Sequence, residues 1–128
     1  MRYTFLLYSH EKAFADATPA DKEQQLQVFG RYIAALQEAG HLVDTDWLQP
    51  PGTATTVSLA GGQRHVQDGP FAETKEQLGG YFVVDVPDLT AAIAWAEKCP
   101  AAHYGKVEIR ASAMPAGGNP HAQSEEPA

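Results

Sequence analysis

Sulfur, positive charge and long apolar runs are all scarce in this chain. One cysteine, Cys99, leaves no partner for an intramolecular disulfide and no CxxC pair for a zinc site. Lys and Arg number 9 against 16 Asp and Glu, a formal charge of −7. That balance excludes the broad basic footprint by which proteins hold nucleic acid or an anionic membrane. No apolar run approaches the ~20 residues of a membrane-spanning helix. The opening stretch, residues 1–10, has no adequate h-region and no small-residue cleavage site, so a cytoplasmic protein is expected. GxSxG, HxH and HExxH are missing, and Gly79-Gly80 lacks the Lys-Ser/Thr of a phosphate loop. His41, Asp44 and Asp46 are neighbours, but on a strand His41 faces away from the two carboxylates. Neither a metal nor a cofactor is expected.

What is present is an ordinary globular balance: 128 residues, 44% hydrophobic and 20% charged. One domain of this size buries roughly 65–70% of its unfolded surface and needs no staple. Residues 1–111 are read as that domain. Residues 112–128, rich in Pro, Gly, Ala and Ser, are read as a disordered tail.

Residues 1–8 read as a strand and 9–17 as a loop. Thr18-Pro19-Ala20-Asp21 then opens a helix, with Thr18 as cap and Pro19 in the first turn. Leu26, Phe29, Ile33 and Leu36 mark one helix face, and Gly40 ends it. Strands are expected at 41–48, 53–60 and 63–67, the last two joined by Gly61-Gly62 as a hairpin. Residues 68–78 form a turn and a polar loop or short helical turn. Residues 81–86 are strongly strand-like. A second helix covers 89–99, with Leu89, Ala92, Ile93 and Ala96 on one face, and Pro100 stops it. Residues 107–110 are a last strand. Setting the hairpin aside leaves β-α-β-β-α-β, an α+β ferredoxin-like unit with an extra β-hairpin and both helices on one face.

Two strands are apolar on both sides. Tyr3, Phe5 and Leu7 oppose Leu6 and Tyr8, and Phe82, Val84 and Val86 oppose Tyr81 and Val83. Such strands need cover on both faces, and two helices supply one. A second copy of the same sheet is the simplest cover, so a homodimer around a partly filled cavity is expected.

The run Asp68-Gly69-Pro70-Phe71-Ala72-Glu73-Thr74-Lys75-Glu76-Gln77-Leu78-Gly79-Gly80 closely resembles the signature of the DGPF branch of the YCII-related (YciI-like) family. The opening strand, residues 48–57 and residues 94–100 share the resemblance, which reaches from Met1 to about Arg110. It implies a dimeric α+β barrel of ferredoxin-like subunits. It also implies a family largely without assigned function. Some relatives look like enzymes with a His–Asp pair, among them a dehydrochlorinase of a chlorinated hydroxyquinol. Their Asp corresponds to Asp68. Their His lies on the first helix, where this chain has no histidine and carries Phe29 and Tyr32 in the middle. A link to extracytoplasmic-function sigma factors is implied as well.

Asp68 is the sharpest candidate. Sheltered beside Phe71 at a dimer cavity, a carboxylate can serve as general acid or base. Equally, it can be a turn residue bonding nearby amides. Its partner would be His10, at the end of the central strand, since His65 points to the opposite face of a regular strand. Lys75 can hold an anionic group and Thr74 can donate to a bound oxygen, with Glu73 beside them; the alternative is a solvated polar turn. Tyr8, Phe71 and Tyr81 are expected to line the pocket. Cys99 is expected to be packed rather than reactive, and Trp95 and Tyr104 to be core or interface residues. Two readings follow: a small enzyme-like protein binding a small molecule, or a non-catalytic ligand sensor or accessory to sigma-factor signalling.

Overall fold

The computed structural model describes residues 1–114. Its strands are β1 (Arg2–His10), β2 (Leu42–Trp47), β3 (Thr55–Ala60), β4 (Gln63–Asp68), β5 (Glu76–Asp85) and β6 (Lys106–Ala111). Its helices are α1 (Glu11–Ala15), α2 (Pro19–Glu38), α3 (Leu89–Lys98) and α4 (Ala101–Tyr104), with a 3-10 turn at Pro51–Thr53. Four strands form one antiparallel sheet in the order β2-β5-β1-β6, and β3 pairs with β4 in a separate ribbon. This α+β arrangement is compatible with a ferredoxin-like unit bearing an inserted hairpin. Among the described residues, no helix is long and apolar enough to cross a membrane.

The two-sided strands are the central pair. Tyr3, Phe5, Leu7, Phe82, Val84 and Val86 are buried toward the helices. They meet Phe29, Tyr32 and Leu36 of α2 and Ala92 and Ala96 of α3 in one core. Leu6, Tyr8, Tyr81 and Val83 lie on the other face and are half-buried. A Cβ on Gly105 would overlap the carbonyl oxygen of Tyr8, so glycine lets the chain turn from α4 into β6 against β1.

Several elements differ from the sequence expectation. Residues 9–17 are not simply a loop: β1 runs to His10 and α1 follows. His10 Nδ1 accepts the Lys12 amide at 3.2 Å and caps that helix. On α2 the face rotates. Tyr32 is buried and Ile33 only half-buried, while Leu26 is 58% exposed, because the first half of α2 overhangs the sheet. On α3, Ala92 and Ala96 face the core and Leu89 and Ile93 face outward. The small alanines allow close approach to the sheet. Pro100 ends α3 but opens α4 instead of a loop. Thr53 belongs to the 3-10 turn, and β5 begins at Glu76. Of the expected tail, positions 115–128 lie outside the described residues, and the Ser112 amide donates to the Arg2 carbonyl at 2.9 Å.

Candidate functional site

The overhang of α2 creates the site. Thr18 and Asp21 form a reciprocal capping box, with Thr18 N–H to Asp21 Oδ2 at 3.0 Å and Asp21 N–H to Thr18 Oγ1 at 3.1 Å. The helix therefore starts firmly although residues 19–27 are exposed, with Gln25 Oε1 accepting from the Tyr104 hydroxyl at 3.4 Å. Between it and the sheet's end lies a cleft of about 1300 Å³. Its walls are Leu7, Tyr8 and Ser9 of β1, Trp47, Leu48 and Pro50, and the α3–α4 corner with Trp95, Lys98, Ala101, His103 and Tyr104.

Aromatic rings dominate its interior. Phe29 meets Trp47 edge-on at 5.3 Å between centroids, and Tyr32 meets Trp95 at 6.3 Å. The Tyr32 hydroxyl donates to the Trp95 carbonyl at 2.8 Å, tying α2 to α3. Burial pushes the phenols of Tyr32 and Tyr104 above their usual range, so both remain neutral donors. Lys98 Nζ sits 4.7 Å over the Trp95 ring, a cation–π contact. The lining holds three full cations, Lys22, Arg31 and Lys98, against the carboxylates Asp16 and Asp21. The amide of Thr18 holds Asp21 below the usual carboxylate range. In a chain of net charge −7, this cleft has one more cation than carboxylates.

The residues singled out in sequence are dispersed. Tyr8 lines the cleft. Tyr81 lies on the helix-free face, its hydroxyl donating to Asp44 Oδ2 at 3.2 Å, and this bond raises its pKa. His10 is exposed and engaged as the α1 cap; its strand partner is Glu76. Glu76 Oε1 accepts from Lys106 Nζ at 3.1 Å, and Oε2 is buried without a partner among the described residues. Asp68 ends β4 opposite Thr55 and is exposed. Gly69 follows at φ +92°, which favours glycine, and its amide donates to the Ala54 carbonyl. Phe71 is 85% exposed, and Glu73, Thr74 and Lys75 are exposed. Thr74 Oγ1 donates to the Glu76 carbonyl at 2.5 Å, and the Lys75 carbonyl accepts the Glu11 amide at 2.8 Å. None of these five DGPF-segment residues lines the cleft, and no ion pair joins His10 to Asp68 among the described residues. The ribbon register puts His65 and Asp68 on opposite faces. His41 turns its Nδ1 to the Asp85 carbonyl and its ring to Trp95. Cys99 is buried, and burial pushes its thiol up to about 11.

Sequence reasoning placed Phe29 on the core face but missed its role in the cleft, along with those of Tyr32, Trp47 and Lys98. One signal pointed there: both tryptophans and two aromatics of α2 converge on one end of the fold.

A family model described as "YCII-related domain" matches residues 1–112. An uncharacterized protein of Rhizobium meliloti (strain 1021) is 32% identical over 116 residues, covering 89% of this chain and 94% of that relative.

Proposed function

We propose that this chain, which belongs to the YCII-related domain family, is a homodimeric protein that binds a flat aromatic molecule carrying an acidic group in the cleft beneath α2. The cleft itself carries the reading: about 1300 Å³ walled by Phe29, Tyr32, Trp47, Trp95 and Tyr104, with an excess of cations at its border. Ring-lined concavities with a few polar groups are where small molecules bind. Stacking on the rings favours a flat ligand, and Lys22, Arg31 and Lys98 favour an anionic substituent. The helix-free face of the sheet supports the dimer, since Leu6, Tyr81 and Val83 are only half-buried in one copy.

Both tryptophans of the chain line the cleft, so intrinsic fluorescence reports on it directly. Titration with benzoate, salicylate and indole-3-acetate is expected to give saturable quenching, weakened several-fold by Lys98→Ala. Folded protein showing no saturable change with any of them at millimolar concentration would sink the reading. Asp68 lies outside this cleft, so its proposed acid–base role is a separate one, exercised where a second copy shelters it beside Phe71. Turnover lost in Asp68→Asn supports an enzyme. Equal binding by both forms with no conversion supports a sensor, for which retention of a sigma factor is the further test.

A further inference from the structure

The β3–β4 ribbon is folded without support from its own body. Two-stranded hairpins are marginal in water unless something packs on them. Every residue of both strands except Thr56 is exposed. The pairing is nonetheless regular from Thr55↔Asp68 to Ala60↔Gln63. Gly61 and Gly62, at φ +59° and +80°, close it with the left-handed turn that matches strand twist. Residues paired across the ribbon share a face, so Val57 and Leu59 stand with Val66 and Arg64, with Arg64 near the tip and Thr55 and Asp68 completing the face at the ribbon's base. The three aliphatic side chains are 61%, 74% and 56% exposed in that order of Val57, Leu59 and Val66. The other face, with Thr56, Ser58, His65 and Gln67, is polar. One side is thus made for a surface that this body does not present to it.

We infer that the ribbon is an arm that docks on the β2 edge of the helix-free face of a second copy of this chain. The inference rests on the homodimer reading above and specifies how the copies engage. Charge selects the place. Asp44 and Asp46 pair with Val83 and Tyr81 across the β2–β5 ladder, so a carboxylate row borders an uncovered apolar strip. Their Oδ1 atoms accept the amides of Thr45 and Trp47 at 2.9 and 2.8 Å. Two backbone donors of this edge strand are therefore already occupied, which opposes growth of the sheet by strand addition there. An incoming surface has to meet the edge through side chains, with aliphatic area for the strip and a cation for the row. The arm carries both, with Arg64 on the same rung as Leu59. Six residues per strand give it a reach of about 20 Å. Three aliphatic side chains alone fall short of the ~800 Å² per partner of a specific interface, so the sheet strips of both copies contribute the rest.

Sedimentation equilibrium of the full chain tests this, with circular dichroism to confirm folding. Leu59→Lys and Arg64→Glu change exposed positions and leave one copy's fold intact. Each is expected to weaken dimerisation about tenfold or more. Adding Asp46→Lys to Arg64→Glu is expected to restore association, because the charges are exchanged. Failure of that exchange, or variants that dimerise as tightly as wild type while Val83→Asp dissociates, overturns the arm and leaves sheet-to-sheet pairing standing. A wild-type chain monomeric at hundreds of micromolar overturns arm and homodimer together. The ligand titration decides the cleft separately.

Discussion

Replacing Tyr32 with phenylalanine removes one hydrogen bond and very little else. The residue is 5% exposed, and its ring packs edge-on against Phe82 at 5.2 Å and Trp95 at 6.3 Å. Phenylalanine keeps those contacts. What disappears is the 2.8 Å bond from the hydroxyl to the Trp95 carbonyl, which joins α2 to α3 across the cleft. A neutral hydrogen bond is worth about 0.5–1.5 kcal/mol, approaching 3 kcal/mol if its partner is left dry. The bond is only part-buried and Trp95 borders an open cleft, so the lower range applies. The expected loss is about 1 kcal/mol, or a fall in melting temperature of roughly 3–5 °C for a domain of this size. Tyr32→Ala removes the ring as well and is expected to cost about 3–5 kcal/mol. Urea unfolding followed by tryptophan fluorescence measures both, with an unchanged slope confirming comparable unfolding. Equal destabilisation by the two variants would refute the assignment, since the hydroxyl would then carry the whole effect. So would a Tyr32→Phe variant as stable as wild type.

Burial of Cys99 predicts a loss of stability on the alkaline side. Its thiol pKa is raised from 9.0 to about 11, so below 9 it is protonated in both states and has no effect on stability. Between 9 and 11 the unfolded chain ionises while the folded chain does not, and stability falls by on the order of 2 kcal/mol. Comparing urea midpoints of wild type and Cys99→Ala at both ends of that window checks it; parallel pH dependence in the two proteins would be the contrary result. Gly105→Ala is expected to cost roughly 2 kcal/mol or more, because its methyl would collide with the Tyr8 carbonyl. Gly52→Ala meets open space and is expected to stay within about 0.5 kcal/mol in the same assay.

The sheet was legible because burial on both faces leaves a mark in every residue of a strand. Phe5 and Leu6, or Phe82 and Val83, are adjacent and both apolar, and that alone places β1 and β5 at the centre. Helix phase was less legible, for a geometric reason. Periodicity counts Leu26 as a core residue because it lies in line with Phe29, but the helix overhangs the sheet there and the cleft lies beneath it. The overhang that spoils the pattern also opens the cleft, so the cleft sits where the periodic signal fails. On α3 the error runs the other way: Leu89 and Ile93 outweigh Ala92 and Ala96 in hydrophobicity, yet it is the two alanines that are buried. The DGPF segment teaches a different limit. Its turn chemistry is local, and Gly69 at φ +92° obeys it. Where Asp68 and Phe71 act is not local, because both project from the body. Val57, Leu59 and Val66 likewise alternate as a strand with one covered face should, although one copy covers nothing there. A pattern of that kind states a demand for burial and leaves the covering surface unspecified. This chain makes the demand twice, on the sheet and on the arm, and the proposed twofold pairing of identical copies is an arrangement in which each demand can answer the other.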